Sequence, residues 1–271
     1  MESKTVYHPQ AFFLLTYLIS WSCVAAAVYA SYTNGTAETI FILFLAAACG
    51  PLLASLIMHY RSHSPALWKD YKDRIVNLRR INPKTLPLIF LLMPAAMLAS
   101  IVVSLLFGQS AEQFTLTPQG SFSMGVPVLF IMILIPTLEE LGWKGYGVDS
   151  LRSRFDLFRT SLLFGALWAL WHAPMFFIKN TYMNGLLSSP FYAANYFISI
   201  FALAFILNWL FYQNNRSIVA CALFHICADI TAEIFAVTQF TKCIDTAFLL
   251  VIAVVIVLAD RGFFFENETP A

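Results

Sequence analysis

Apolar residues run along this chain in long unbroken blocks, with no sustained alternation of period two. Eight blocks stand out: Ala11–Ala30, Thr39–Tyr60, Leu86–Gly108, Ser123–Leu138, Thr160–Ile178, Pro190–Tyr212, Ile218–Thr238 and Ile244–Ala259. A helix that crosses a bilayer needs about 20 mostly apolar residues, and most of the blocks reach that length. The breaks are polar or turn-rich: Tyr32–Glu38 with Asn34-Gly35, Gln109–Phe122, Lys179–Ser189 with Asn184-Gly185, and Gln213–Ser217. Continuous apolar runs predict helices, not the short alternating strands of a barrel. The predicted fold class is all-α, a polytopic membrane helix bundle with about eight transmembrane helices. It forms one integral membrane domain over residues 1–271, with no repeat and no soluble domain.

Composition agrees. The 271 residues are 59% hydrophobic, 16% aromatic and 11% charged, against a usual charged fraction of about 25%. Disorder, coiled coil and a disulfide scaffold are excluded on those grounds. A net charge of +1 gives no field that would attract nucleic acid. The five cysteines, without a Cys-x-x-Cys, read as small apolar residues of the spans.

The positions of the basic residues set the orientation. With the N-terminus in the cytoplasm, Lys179 and Lys242 are the only two of the 16 Lys and Arg residues that fall outside. Eight spans with both termini cytoplasmic are therefore expected. Val28-Tyr29-Ala30 is similar to a signal-peptide cleavage site, but the apolar run before it is long and preceded only by Lys4, so a retained anchor is expected. The loop Arg61–Lys84 interleaves basic residues with Trp68, Tyr71, Ile75 and Leu78 at helical spacing, which predicts an interfacial amphipathic helix.

Ionisable side chains inside a bilayer are costly and are functional candidates by default. Here they are Glu139 and Glu140 closing the fourth block, His172 in the fifth, and His225, Asp229 and Glu233 along the seventh. Neighbouring helical residues diverge by about 100°, so the two glutamates cannot serve one purpose. Glu140 precedes Lys144 by four residues, the favourable order for an ion pair. Glu139 is then the free carboxylate. His225, Asp229 and Glu233 form one stripe, in which Asp229 can orient His225. Trp168 sits one turn before His172, and Pro174 frees the Leu170 carbonyl and should kink or widen the helix there. Counted from the cytoplasmic end, His225 lies about 12 Å deep and His172 about 19 Å, with Glu139 near that end. A joint cluster is expected in the cytoplasmic half.

A carboxylate and an imidazole sharing a water form a general base, and a second imidazole can stabilise an oxyanion. Together they suit peptide hydrolysis. Gly-x-Ser-x-Gly and His-Glu-x-x-His are absent from the sequence. No cofactor is expected, with zinc on Glu139, His172, His225 and Asp229 as the alternative.

Three segments carry a resemblance: Glu139-Glu140-Leu141-Gly142-Trp143-Lys144, Trp168-Ala169-Leu170-Trp171-His172 and His225-Ile226-Cys227-Ala228-Asp229. In order and placement they resemble the Glu-Glu-x-x-x-Arg, aromatic-x-x-x-His and His-x-x-x-Asn/Asp motifs of the membrane family that joins type II CAAX prenyl endopeptidases to bacteriocin-processing relatives. The likeness covers about 123–235. It implies a metal-independent, glutamate-dependent intramembrane endopeptidase in which Glu139 and His172 activate water, His225 and Asp229 form the oxyanion site, and Glu140, Lys144 and Trp168 support them. It further implies a lipidated or membrane-associated peptide substrate, with prenylated CAAX-type C-termini as candidates. Two positions depart from the motifs: Lys144 stands for arginine and loses the bidentate fork, and Trp168 stands for phenylalanine. The Ala169–Pro174 context resembles prokaryotic members, which implies a prokaryotic cell membrane with the site reached from the cytoplasm. The sequence leaves oligomeric state open. Two other classes remain: a catalytically silent regulatory or immunity protein on the same fold, and a proton-coupled transporter.

Overall fold

The computed structural model describes residues 6–116 and 128–266. The start of the predicted fourth span, 123–127, lies outside the described residues, as does part of the break before it. Thirteen helices follow in order: α1 Pro9–Tyr32, α2 Ala37–Ala48, α3 Gly50–Ser62, α4 Pro65–Val76, α5 Leu86–Leu105, α6 Val128–Gly142, α7 Val148–Arg152, α8 Leu157–His172, α9 Tyr182–Leu186, α10 Pro190–Gln213, α11 Ile218–Ile234, α12 Gln239–Ala259 and α13 Arg261–Phe265. A π-helical turn, Trp143–Gly147, joins α6 to α7, and a 3-10 segment, Ala173–Phe177, extends α8. Among the described residues there is no strand, only one bridge between Leu116 and Phe235.

Among the described residues, six helical stretches are long and apolar enough to cross a membrane: Pro9–Tyr32, Ala37–Ser62, Pro83–Leu105, Leu157–Phe177, Pro190–Gln213 and Gln239–Ala259. The two remaining predicted spans correspond to α6, with 15 described residues, and α11, with 17. These two pack against each other, α6 also against α3 and α11 against α5. The shortest apolar helices are thus inner ones, and they carry five of the six expected polar groups, Glu139 and Glu140 on α6 and His225, Asp229 and Glu233 on α11. The outward faces are apolar, with Leu91, Val102 and Leu258 all more than half exposed, as a lipid-facing surface requires.

Two prolines shape the bundle. Pro51 cannot donate to the Ala47 carbonyl, and the predicted second span breaks there into α2 and α3. The Ser20 hydroxyl of α1 donates to that carbonyl instead, at 2.8 Å. At Pro174 the structure differs from the predicted kink: α8 ends at His172, Ala173 N–H bonds to the Leu170 carbonyl, and the chain tightens into the 3-10 turn. A 3-10 bond reaches one residue less far back than an α bond, so Ala173 takes the carbonyl that Pro174 cannot reach.

The predicted interfacial helix is present as α4, but it is tied inward. Arg74 is fully buried and donates to the carbonyls of Lys144 (2.9 Å) and Gly145 (3.0 Å) in the π turn and to Asp149 (2.8 Å). The five cysteines carry no disulfide.

Candidate active site

α6 approaches α3 closely, because a methyl group on Gly142 would run into the Pro51 backbone. That contact fixes the C-terminal end of α6, where Glu139 and Glu140 sit. Both are buried, and they diverge as the helical angle requires. Glu139 faces a cavity of about 340 Å³, whereas Glu140 points behind the wall.

The Glu139 carboxylate is held by two indoles. Trp143 Nε1 donates to Oε2 at 3.2 Å and Trp168 Nε1 to the same oxygen at 3.0 Å. Trp168 has two further contacts. Its carbonyl accepts from His172 Nδ1 at 2.9 Å, and its ring meets the His225 ring edge-on at 5.3 Å between centroids. A carbonyl only accepts, so Nδ1 carries the proton and neutral His172 keeps its lone pair on Nε2. Trp171 and Tyr196 pack edge-on against the same imidazole.

His225, on α11, is oriented chiefly by Glu140: Nδ1 lies 2.9 Å from Glu140 Oε1. Asp229, the partner expected from the sequence, is 3.7 Å from Nε2, an ion-pair distance longer than a hydrogen bond, and its side chain is 42% exposed. The expected Glu140–Lys144 pair is also present but long, at 3.9 Å. Lys144 Nζ instead donates to Asn208 Oδ1 at 2.7 Å, and Asn208 in turn donates to Ser161 Oγ at 3.2 Å. The Glu140 oxygen turned toward Lys144, Oε2, has no hydrogen-bond partner. An ammonium lacks the planar fork with which a guanidinium would hold a carboxylate and a second acceptor together.

Glu139, Trp168, His172, His225 and Asp229 therefore border one cavity, with Glu140 and Lys144 behind it. Glu233 lies farther along the same lining, paired with Lys242 at 3.6 Å. Among the described residues, no group of three or more His, Cys, Asp or Glu side chains is arranged to hold a metal ion. The lining continues to Tyr182, Gln239 and Lys242, at the end of the bundle opposite α4 and the basic loops.

Sequence reasoning missed three participants. Asp245 of α12 also lines the cavity and accepts from Ser100 Oγ at 3.3 Å; its signal, a carboxylate inside an apolar run, was available. Asn208 is fully buried in α10, and one amide in a hydrophobic run is a weak signal. The Glu140–His225 bond joins residues 85 positions apart, and no spacing rule reaches that far.

Comparison with known proteins identifies the family. The model of the family described as "Type II CAAX prenyl endopeptidase Rce1-like" matches residues 121–231, the stretch that holds all three motif segments. A protein of Methanococcus maripaludis named "CAAX prenyl protease 2" is 39% identical over 269 residues, covering 98% of this chain and 99% of its own. With a likeness of that depth over nearly the whole length, the chain belongs to the Rce1-like type II CAAX prenyl endopeptidase family of membrane proteases.

Proposed function

We propose that this protein hydrolyses a peptide bond inside the membrane-embedded cavity, with Glu139 and His172 activating the attacking water and with His225 and the Asp229 carboxyl, in its protonated form, donating to the oxyanion. The observation that carries the reading is the meeting of all four side chains on one cavity, three of them in contact with the single side chain or carbonyl of Trp168 or within its turn. Because both indole N–H bonds fall on Glu139 Oε2, Oε1 is the oxygen left to take a proton from water, with His172 Nε2 accepting a hydrogen bond from the same water. Hydroxide adds to the scissile carbonyl carbon. The carbonyl oxygen, now negative, is met by His225 Nε2–H, whose ring is fixed through Nδ1 by Glu140. Collapse breaks the C–N bond, and the proton held by Glu139 passes to the leaving amine.

The substrate class follows from the relative's name and the family: a C-terminal Cys-a-a-X peptide whose cysteine is prenylated. Met93, Met97 and Met132 on the cavity wall suit a prenyl chain, since unbranched thioether side chains adapt to flexible apolar ligands. The free end of the peptide points toward Tyr182, Gln239 and Lys242, an end that the distribution of basic residues assigns outward, so that the rest of the substrate lies on the cytoplasmic side of the catalytic groups, as the depth argument expects. Thiol labelling of single cysteines at Gln239 and Arg79 in intact cells tells the two faces apart.

The direct test is cleavage of a prenylated C-terminal peptide in detergent or vesicles. Wild type should cleave it, with or without a chelator, and Glu139→Gln should not, while unfolding at the same temperature. Equal turnover by the two proteins, or none by wild type, removes the reading; the latter result would favour a catalytically silent member of the fold.

A further inference from the structure

Glu139, Asp229, Glu233 and Asp245 give the cavity an acidic lining, against which Lys242 is the one Lys or Arg among its described residues. Lys242 lies in the first turn of α12, four-fifths buried, with its ammonium 4.5 Å above the Tyr182 ring and 3.3 Å from the Tyr182 hydroxyl. Gln239 Nε2 bonds to that same hydroxyl at 3.2 Å. An ammonium, an amide N–H and a phenol therefore converge at one point on the wall, 3.6 Å from the Glu233 carboxylate. A corner of such donors, whose ammonium already faces one carboxylate, suits a carboxylate ligand.

Its distance from the chemistry is informative. Lys242 meets α11 at Glu233, eight residues beyond His225 on the same stripe. Eight helical residues rise about 12 Å. Three extended peptide residues span about 10 Å, and an ammonium needs about 3 Å more to reach an oxygen. A peptide whose scissile carbonyl sits by His225 thus brings its chain end to Lys242 after about three residues.

We propose that Lys242, with Gln239 and Tyr182 beside it, anchors the free C-terminal carboxylate of the substrate and so sets how far from the chain end the cut falls. The inference rests on the endopeptidase reading above and deepens it: recognition is of a chain terminus and not of an internal segment. In a Cys-a-a-X tail that register puts the cut directly after the modified cysteine. The anchor is a positioning and specificity device and takes no part in the chemical step.

The test compares a prenylated peptide ending in a free carboxylate with the same peptide ending in an amide, and with one extended by two residues. Wild type should favour the free acid over the amide by about tenfold or more in kcat/KM, the worth of one charge-assisted contact. Lys242→Met should raise KM for the acid by about the same factor and leave the amide unchanged, so that discrimination disappears. Lys242→Arg should retain it. Mass spectrometry should show three residues released from the acid. Equal cleavage of acid and amide by wild type overturns the anchor while leaving the endopeptidase intact, and so does a Lys242→Met loss that falls on both peptides alike. Cleavage of neither by wild type removes the endopeptidase reading and the anchor with it.

Discussion

At one end of the segment 139–149, the carboxylate of Asp149 is saturated. Arg74 Nη1 reaches it at 2.8 Å, Arg216 Nη2 at 2.6 Å and the Tyr212 hydroxyl at 3.0 Å. Arg216 and Arg74 also pair with Asp70, at 3.0 and 3.1 Å. At the other end, Glu140 has one close partner, His225, and an oxygen without a hydrogen bond, while Asp229 stands 3.7 Å from His225 and half-exposed to the cavity. Both clusters are buried and both are ionic. In the first, the Asp149 carboxylate is closed in by Arg216 through two nitrogens and by Arg74 through one, and it borders no part of the cavity; in the second, Glu140 is under-bonded behind the wall and its partner His225 opens onto the cavity. Buried charge with every lone pair occupied locks backbone in place, whereas buried charge left with spare lone pairs beside a cavity is available for a substrate. The π turn lies between them, its carbonyls held by Arg74. The closed cluster therefore fixes the end of the helix that presents the open one.

The sharpest test of this contrast is a pair of substitutions, one isosteric and one a truncation. Glu139→Gln should lower kcat by about 10³-fold, within the span of a lost general base, and leave thermal unfolding in detergent where it was. Asp149→Ala should do the reverse. It strands Arg74 and Arg216 in a buried site, at a cost of about 3–5 kcal/mol, and whatever fraction stays folded should keep the wild-type KM. If Asp149→Ala abolishes turnover in fully folded protein, the two clusters are not separable and the comparison fails.

A smaller effect is expected behind the cavity wall. Glu140→Gln removes the negative charge that holds His225 Nδ1–H but keeps an acceptor in place. A fall in kcat of about 10- to 100-fold, the usual worth of an orienting partner, with KM unchanged, would mark Glu140 as a positioning residue. A change confined to stability would move it into the same class as Asp149.

The sequence made much of this legible, and the exceptions share a cause. Long apolar runs predicted the helices to within a few residues, because the period and length of a spanning helix are local properties. The divergence of Glu139 from Glu140 was legible for the same reason, as was the spacing that put His225 and Asp229 on one stripe. What spacing could not supply was partnership across helices. The hold of Glu140 on His225, the two indoles on Glu139, and the turning of Lys144 toward Asn208 are tertiary contacts between distant positions. The break at Pro51 was hidden by hydropathy, since Ser20 satisfies the freed carbonyl without changing the apolar run. Charge and spacing alone predict an interfacial amphipathic helix in the basic loop, and neither shows that it is tied inward. Arg74 looks like its neighbours in sequence and is buried because the π turn offers it two carbonyls and Asp149 and Asp70 offer it carboxylates.

The smallest predicted effect separates the clusters by acid. Burial alone would raise the Asp149 carboxyl, but the charges of Arg216 and Arg74, with hydrogen bonds from Arg216 and Tyr212, hold it below the usual carboxylate range. A carboxyl lowered in the folded state stabilises the fold above the unfolded value of about 3.9, and that contribution is lost as pH falls toward and through the folded value. From neutral pH down to about pH 5 the Asp149 cluster should therefore add no slope to stability, while below about pH 4 stability should decline. Asp149→Asn has no proton to take up, so its unfolding temperature, lower at neutral pH, should approach that of wild type in acid. Curves that stay parallel from pH 7 to pH 3 would mean that Asp149 binds its proton equally well folded and unfolded, and that the closed cluster is no tighter, electrostatically, than the open one.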